Sequence, residues 1–213
     1  LRNSSAASDV YKRQGKIPPS ESPETTHISV VDANGNAVAI TTTLNSSFGN
    51  KVMVKGAGFF LNNEMDDFSS KPGSPNQFGL IGGKANAIAP HKRMLSSMTP
   101  TIVTYKDKLK MVVGTPGGST IITSVYQTLL NVIDHGMGMQ EAVNAKRVHH
   151  QWYPDEIRVE TDALTENVQN DLEKLGHQLR ITDKIGRMDC ILVLPDGRLE
   201  GGADPRGDNT ALG

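Results

Sequence analysis

The sequence predicts an α+β fold in which mainly antiparallel sheets are covered by helices. Three observations carry that expectation. β-Branched runs come in pairs closed by short turns, and apolar residues recur at helical spacing in a few longer stretches. The regular strand–helix alternation of a parallel doubly wound sheet is missing.

The elements follow in order. Residues 26–31 and 37–43 flank Ala33-Asn34-Gly35-Asn36, an Asn-Gly turn that marks a hairpin. Residues 66–90 are rich in Gly, Pro, Asn and Ser, the composition of a long functional loop. Residues 101–105 and 109–113 flank Lys106-Asp107-Lys108 as a second hairpin. Gly114-Thr115-Pro116-Gly117-Gly118-Ser119 is a turn opening a helix over 120–135, where Ile121, Val125, Leu129 and Val132 share one face. A shorter helix is expected over 139–148. Leu164, Val168, Leu172 and Leu175 mark another, stopped at Gly176. A third hairpin is expected from 188–194 and 198–201 around Pro195-Asp196-Gly197.

The N-terminal residues stand apart. Residues 1–14 show no periodicity and resemble a translated adaptor, so they carry no weight in the fold argument. Residues 15–24, with three prolines, read as a linker, and residues 25–213 as the folded domain.

The chain has 213 residues, 37% hydrophobic and 21% charged, with a net charge of -1. That is the composition of a globular chain long enough for a sizeable core. The near-zero charge gives no general attraction to nucleic acid or anionic lipid. No apolar run reaches the ~20 residues of a membrane helix. Residues 1–14 lack the charged start and apolar stretch of a signal peptide. The single cysteine, Cys190, lies in an apolar run and reads as a buried hydrophobe.

Four clusters have chemical capacity. Thr25 leads a strand after the linker. A threonine there is ordinarily a β-former; as a chain terminus it would hold a nucleophilic hydroxyl beside an α-amine of pKa near 8. Asn62-Asn63-Glu64-Met65-Asp66-Asp67 suits an ammonium group or a divalent cation, and equally a solvated turn. It lacks the calcium-loop pattern. Ser96 and Ser97 offer adjacent hydroxyls, common in turns and able to hold a carboxylate. Gly117 and Gly118, between strand and helix, present backbone N–H groups to an anion or a developing oxyanion, or serve plain geometry. His149 and His150 read as structural, because no third ligand keeps metal-site spacing.

Taken in order, these clusters resemble the γ-glutamyltransferase family from about Pro19 to Gly213. The carrying motifs are Thr25-Thr26-His27 with Ser29-Val30-Val31-Asp32, then Thr43-Leu44-Asn45, then Leu61 through Ser69. Pro90 with Lys92-Arg93, Leu95-Ser96-Ser97-Met98, Gly114 through Ser119, and Arg147 through Gln151 complete them. The resemblance implies an N-terminal-nucleophile hydrolase, here half of a four-layer αββα sandwich. A precursor would cut itself at Glu24–Thr25 and leave Thr25 as nucleophile, with Thr43 assisting its hydroxyl. Asn45, Glu64 and Asp67 would hold the substrate α-amine, Ser96 and Ser97 its α-carboxylate, and Gly117 and Gly118 the oxyanion. The resemblance implies glutathione and related γ-glutamyl compounds as donors, with water or an amino acid or peptide as acceptor. It implies no metal or cofactor, and a periplasmic or secreted location. A large subunit from the same precursor would supply the other half of the sandwich and an arginine for the substrate carboxylate. This chain alone is therefore expected to be inactive and to expose a sheet edge or an apolar patch. The alternatives are an acylase acting on β-lactam side chains such as glutaryl groups, and a non-catalytic binding module or pseudo-enzyme.

Overall fold

The computed structural model describes residues 25–213. Its elements in order are β1 (Thr25–Val31), β2 (Ala37–Thr43), β3 (Thr101–Tyr105), β4 (Lys108–Gly114), α1 (Ile121–Ile133), α2 (Met139–Asn144), β5 (Val148–His149), β6 (Ile157–Glu160), α3 (Glu166–Lys174), β7 (Leu179–Thr182), β8 (Asp189–Val193) and β9 (Leu199–Ala203). The three hairpins form where the turn residues place them, β1 with β2, β3 with β4, and β8 with β9.

The core is built on the antiparallel sheet β3-β4-β8-β9. Alternation along its central strands sends Met111, Val113, Cys190 and Leu192 to one face. There they pack on Ile121, Val125 and Val132 of α1 and on Met139, Ala142 and Val143 of α2. Gly202 on β9 is required by this layer, since a Cβ there would lie 2.8 Å from Met139 Cγ. The other face receives the β1–β2 hairpin. A Cβ on Gly114 would lie 2.0 Å from His27 Cε1, and Ser29 Oγ donates to Asp189 O at 2.8 Å. Hairpin, sheet and helices thus stack as β, β and α layers, which is part of the αββα sandwich.

The hairpin is inverted relative to an ordinary surface sheet. Thr25, His27 and Ser29 point inward, whereas Ile28, Val30, Val38 and Ile40 point outward and are exposed, Ile28 by 52%. This is the apolar patch expected of a half-sandwich.

One expectation about elements needs correction, and one sheet is new. The helix expected over 139–148 ends at Asn144, and Val148–His149 is a strand. Arg147 turns the chain there, because its guanidinium and backbone N–H are drawn into a buried ionic cluster. Strands β5, β6 and β7 form a three-stranded sheet that the sequence pattern does not announce, and its β6–β7 pair is parallel.

That ionic cluster joins distant parts of the chain. Arg147 Nη1 lies 2.9 Å from Asp204 Oδ2, and Arg206 Nη2 lies 2.5 Å from Glu160 Oε2. Glu160 also accepts the N–H groups of Arg147 and Ile185 at 2.9 and 2.7 Å. Asp204 accepts from Met188 N at 2.8 Å, and Val143 O receives both guanidinium groups. Each buried charge is therefore paired and hydrogen-bonded, as burial of ions demands.

Candidate active site

The β1–β2 turn sets the register of the site. The Asp32 carboxylate accepts Asn34 N, Asn36 N and Asn36 Nδ2 at 2.8–2.9 Å, and Gly35 takes φ +82°, open to glycine at no steric cost. The hydrogen bonds from Asn36, side chain first, hold the Asp32 carboxyl below the usual carboxylate range. The ladder that follows ends with Thr25 opposite Thr43. A slip of one residue would turn Thr25 to the outer face.

Thr25 is 4% exposed, and its Oγ1 donates to Thr43 Oγ1 at 3.1 Å. Thr43 Oγ1 also accepts Asn45 N at 2.8 Å. Asn45 takes φ +75°, a left-handed conformation that Asn tolerates better than most residues. Its buried side chain donates to Asn63 O at 3.2 Å. Asn63 answers by accepting Ser46 N at 2.9 Å and donating to Ser46 Oγ at 2.9 Å. The end of the hairpin is thereby tied to the 3₁₀ turn Glu64–Asp67.

Within that turn the Asp67 carboxyl is pushed up to about 6. Burial is the main cause, and the neighbouring Glu64 and Asp66 carboxylates add to it. A carboxylate that cost this much to ionise gains from a cation. Asn86 links the turn to the serine segment, donating to Asp67 O at 2.7 Å and accepting Leu95 N at 2.9 Å. A cavity of about 280 Å³ opens here, with Asp66, Asp67, Asn86, Leu95, Ser97 and Gln151 among its lining residues. Glu64 and Ser96 lie outside that lining, and Ser96 Oγ accepts Met98 N at 3.2 Å, which leaves its hydroxyl proton free to donate.

Gly117 and Gly118 lie outside that lining, in the turn that leads into α1. They adopt φ +142° and +57°, and a Cβ on Gly117 would stand 2.7 Å from Thr120 Oγ1. Thr120 fastens the turn, its Oγ1 and N both donating to Gly117 O at 2.8 and 3.1 Å. The Phe78 ring would meet a Cβ on Gly118 at 3.1 Å. Phe78 O accepts Gln151 Nε2 at 3.1 Å, and Gln151 Oε1 lies 2.9 Å from His149 Nε2. His149 is held by Thr123 at 2.7 Å, and burial lowers its pKa, so the residue braces the loop as a neutral ring.

The structure thus joins Thr25, Thr43 and Asn45 in one hydrogen-bonded chain and gathers Asp67 and Ser97 around one cavity. Glu24 lies outside the described residues. The sequence assigns no role to Phe78, and Asn63 and Gln151 enter it only as members of motifs. Asn63 sat unassigned inside the acidic cluster, and only the fold shows that it joins the turn to the hairpin. Among the described residues, no three His, Cys, Asp or Glu side chains come together to hold a metal. Burial pushes the Cys190 thiol up to about 12, which leaves it an inert core residue.

Comparison with known proteins identifies the family. A family model described as Gamma-glutamyltranspeptidase matches residues 2–213. The Escherichia coli glutathione hydrolase proenzyme is 52% identical over 194 residues, covering 91% of this chain and 33% of that protein. The acylase ACY 1 proenzyme of a Pseudomonas strain is 38% identical, covering 90% of this chain and 32% of that protein. This chain therefore spans about a third of the length of the curated relatives it matches. A crystal structure of a Helicobacter pylori γ-glutamyltranspeptidase mutant superposes with a TM-score of 0.83 at 52% identity, covering 85% of this chain and 100% of that one. The shared N-terminal-nucleophile hydrolase fold, the ordered motifs and this coverage show that the chain belongs to the γ-glutamyltranspeptidase family.

Proposed function

We propose that residues 25–213 are the catalytic part of a self-cleaving precursor that hydrolyses or transfers γ-glutamyl groups, with residues 15–24 as the linker before the cut. The observation that carries this reading is the buried Thr25–Thr43 hydroxyl pair at the head of β1, at the position where cleavage after Glu24 would free an α-amine. That the chain matches a whole crystal chain of one relative but a third of another's proenzyme supports a precursor divided near Thr25.

In the first turnover step the α-amine of Thr25 takes the hydroxyl proton as Oγ1 attacks the γ-carbonyl of the donor. The amides of Gly117 and Gly118 stabilise the oxyanion, and loss of one such donor typically costs about 10²–10³ in rate. The leaving amine departs with the proton, and the γ-glutamyl group remains as an ester on Thr25. Water or an amino acid or peptide amine then attacks the ester and returns the proton to Thr25. Asn45, Glu64 and Asp67 hold the donor ammonium, and Ser96 and Ser97 its carboxylate. Each charge-assisted bond contributes about 1.5–3 kcal/mol. Glutathione and related γ-glutamyl compounds have this zwitterionic end.

The rest of the precursor would cover the outward apolar face of β1 and β2, where each buried Ile or Val side chain contributes about 1.5–3 kcal/mol. The family resemblance supports a periplasmic or secreted location, which belongs to the same proposal. No helix among the described residues is long and apolar enough to cross a membrane.

The test is expression of a full-length precursor built around this segment, with the N-terminus of the smaller product read by mass spectrometry. A terminus at Thr25 together with release of amine from γ-glutamyl amides is the expected result. An uncut chain that leaves γ-glutamyl amides intact would refute the reading. The 38% identical acylase keeps a second substrate class in view. A preference for glutaryl over γ-glutamyl amides would favour it, because glutaryl groups lack the amine that Asp67 and Asn45 would hold.

Asp67 gives the donor site a pH dependence. Its carboxyl, pushed up to about 6, is charged above that value and neutral below it. Attraction for the substrate ammonium should therefore weaken as pH falls through about 6, lowering kcat/KM on the acid side. Asp67→Asn should remove that acid limb and raise KM at neutral pH, as read from kcat/KM against pH.

A further inference from the structure

His27 stands two residues from Thr25 on the same inward face of β1 and has no part in the mechanism above. It is 5% exposed, and each ring nitrogen has one partner. Nδ1 lies 2.7 Å from Thr41 Oγ1 and Nε2 lies 3.1 Å from Ser29 Oγ. Ser29 Oγ spends its only proton on Asp189 O, 2.8 Å away, because a carbonyl oxygen can only accept. Ser29 must therefore accept from His27, which puts a proton on Nε2. In the neutral ring Nδ1 then accepts from the Thr41 hydroxyl. The protons run in one direction, from Thr41 through His27 and Ser29 to the backbone of β8.

The same ring fills the space above Gly114, where a Cβ would fall 2.0–2.4 Å from three of its atoms. Gly114 ends β4, and Gly117 follows three residues later. His27 thus touches the strand that carries the nucleophile, the strand that leads to the oxyanion amides, and, through Ser29, the next strand of the sheet. Both ring nitrogens are engaged away from Thr25, so the imidazole is not placed to act as its base. Burial lowers the His27 pKa to about 4, consistent with a neutral ring. The titratable groups that line the 750 Å³ cavity beside His27 are Asp189, Cys190 and Arg198.

We propose that His27, as the neutral Nε2–H tautomer, is a positioning residue that sets the separation between Thr25 on β1 and the Gly117–Gly118 loop after β4. This rests on the γ-glutamyl-transfer reading given above. Shortening the side chain would let the hairpin settle onto Gly114 and displace Oγ1 from the oxyanion donors. A misplacement of about 1 Å is enough to cost on the order of 10² in rate.

The experiment uses the full-length precursor carrying His27→Ala, His27→Gln, Gly114→Ala, or His27→Ala with Gly114→Ala. Turnover of a γ-glutamyl amide is divided by the number of active sites, counted by covalent labelling of Thr25. His27→Ala is expected to lower kcat per site by ~10- to 100-fold while KM moves by less than about threefold. His27→Gln should recover much of the loss, because its side-chain N–H can still reach Ser29. The Gly114→Ala defect should be smaller in the His27→Ala background than alone, since the added methyl occupies the vacated space. A role in stability alone would reduce the number of labelled sites and leave kcat per site unchanged.

Nitrogen NMR of the wild-type imidazole gives a readout independent of activity and of variant folding. A protonated Nε2 and bare Nδ1, unchanged from about pH 8 to 5.5, is the expected pattern. A protonated Nδ1 with bare Nε2, wild-type kcat per site in His27→Ala, or strictly additive Gly114 and His27 effects would overturn the proposal. An inactive wild-type precursor would instead refute the γ-glutamyl-transfer reading, and the NMR pattern would still decide the hydrogen-bond chain.

Discussion

Thr25→Ala in the full-length precursor is expected to give a single uncut polypeptide with no measurable γ-glutamyl turnover. Loss of a covalent nucleophile lowers kcat by an order of 10⁶. Here the same atom is proposed to cut the chain and to attack the substrate, so both activities should vanish together. The folded state should survive, because alanine forfeits one hydroxyl contact, to Thr43, a net term of about 1 kcal/mol. Mass spectrometry of the product, turnover and a thermal melt provide the three readouts. Thr25→Ser keeps the hydroxyl and should still cut, more slowly. Cutting by the alanine variant would mean that another protein does the cleavage.

The second large effect concerns stability. Glu160→Ala should destabilise the folded protein by about 3–5 kcal/mol, the usual result of orphaning buried charges. It strips the carboxylate from Arg206 and removes the acceptor for two buried backbone N–H groups. Denaturant and thermal melts of the precursor measure it. A loss below about 1 kcal/mol would show that water satisfies the site instead. The pH dependence has a definite sign. Burial alone would raise the Glu160 pKa, but hydrogen bonds from Arg206, Arg147 N and Ile185 N outweigh it and hold the group below its usual value. Its contribution is therefore fully present above the unfolded carboxyl pKa and is lost as pH falls through the folded one. His27 acts in the same direction at higher pH. Its folded pKa of about 4 lies below the ordinary 6.5, so stability declines as pH drops across that interval.

The parts of the fold that could be read from the sequence are those fixed by neighbouring residues. Asn34-Gly35 specifies a hairpin because glycine takes the positive φ and Asp32 gathers the turn amides. The face of α1 follows from helical spacing alone, and Ile121, Val125 and Val132 are buried as that spacing requires. The Thr25–Thr43 pair was reached through resemblance, and the register then gives it a physical basis. What was missed depends on long-range partners. Strands β5 to β7 are two to four residues long, too short for a clear alternating pattern, and exist by pairing with one another. Arg147 and Glu160 lie far in sequence from Asp204 and Arg206, and nothing beside any of them says that it is buried. His27 shows how a local motif can conceal a tertiary role: the Gly114 that makes room for its ring lies on another strand.

The hairpin register also bears on how the protein matures. Thr25 faces inward only when every pair from Val31–Ala37 down to Thr25–Thr43 is correctly matched. A chain paired one residue out of step would carry its hydroxyl on the solvent side, away from Thr43, and under the proposed mechanism would be unable to sever itself. Under that mechanism self-cleavage would work as a proofreading step. A catalytic terminus would be issued only to molecules whose strands have already found their proper partners, and misfolded copies would remain as inert zymogen.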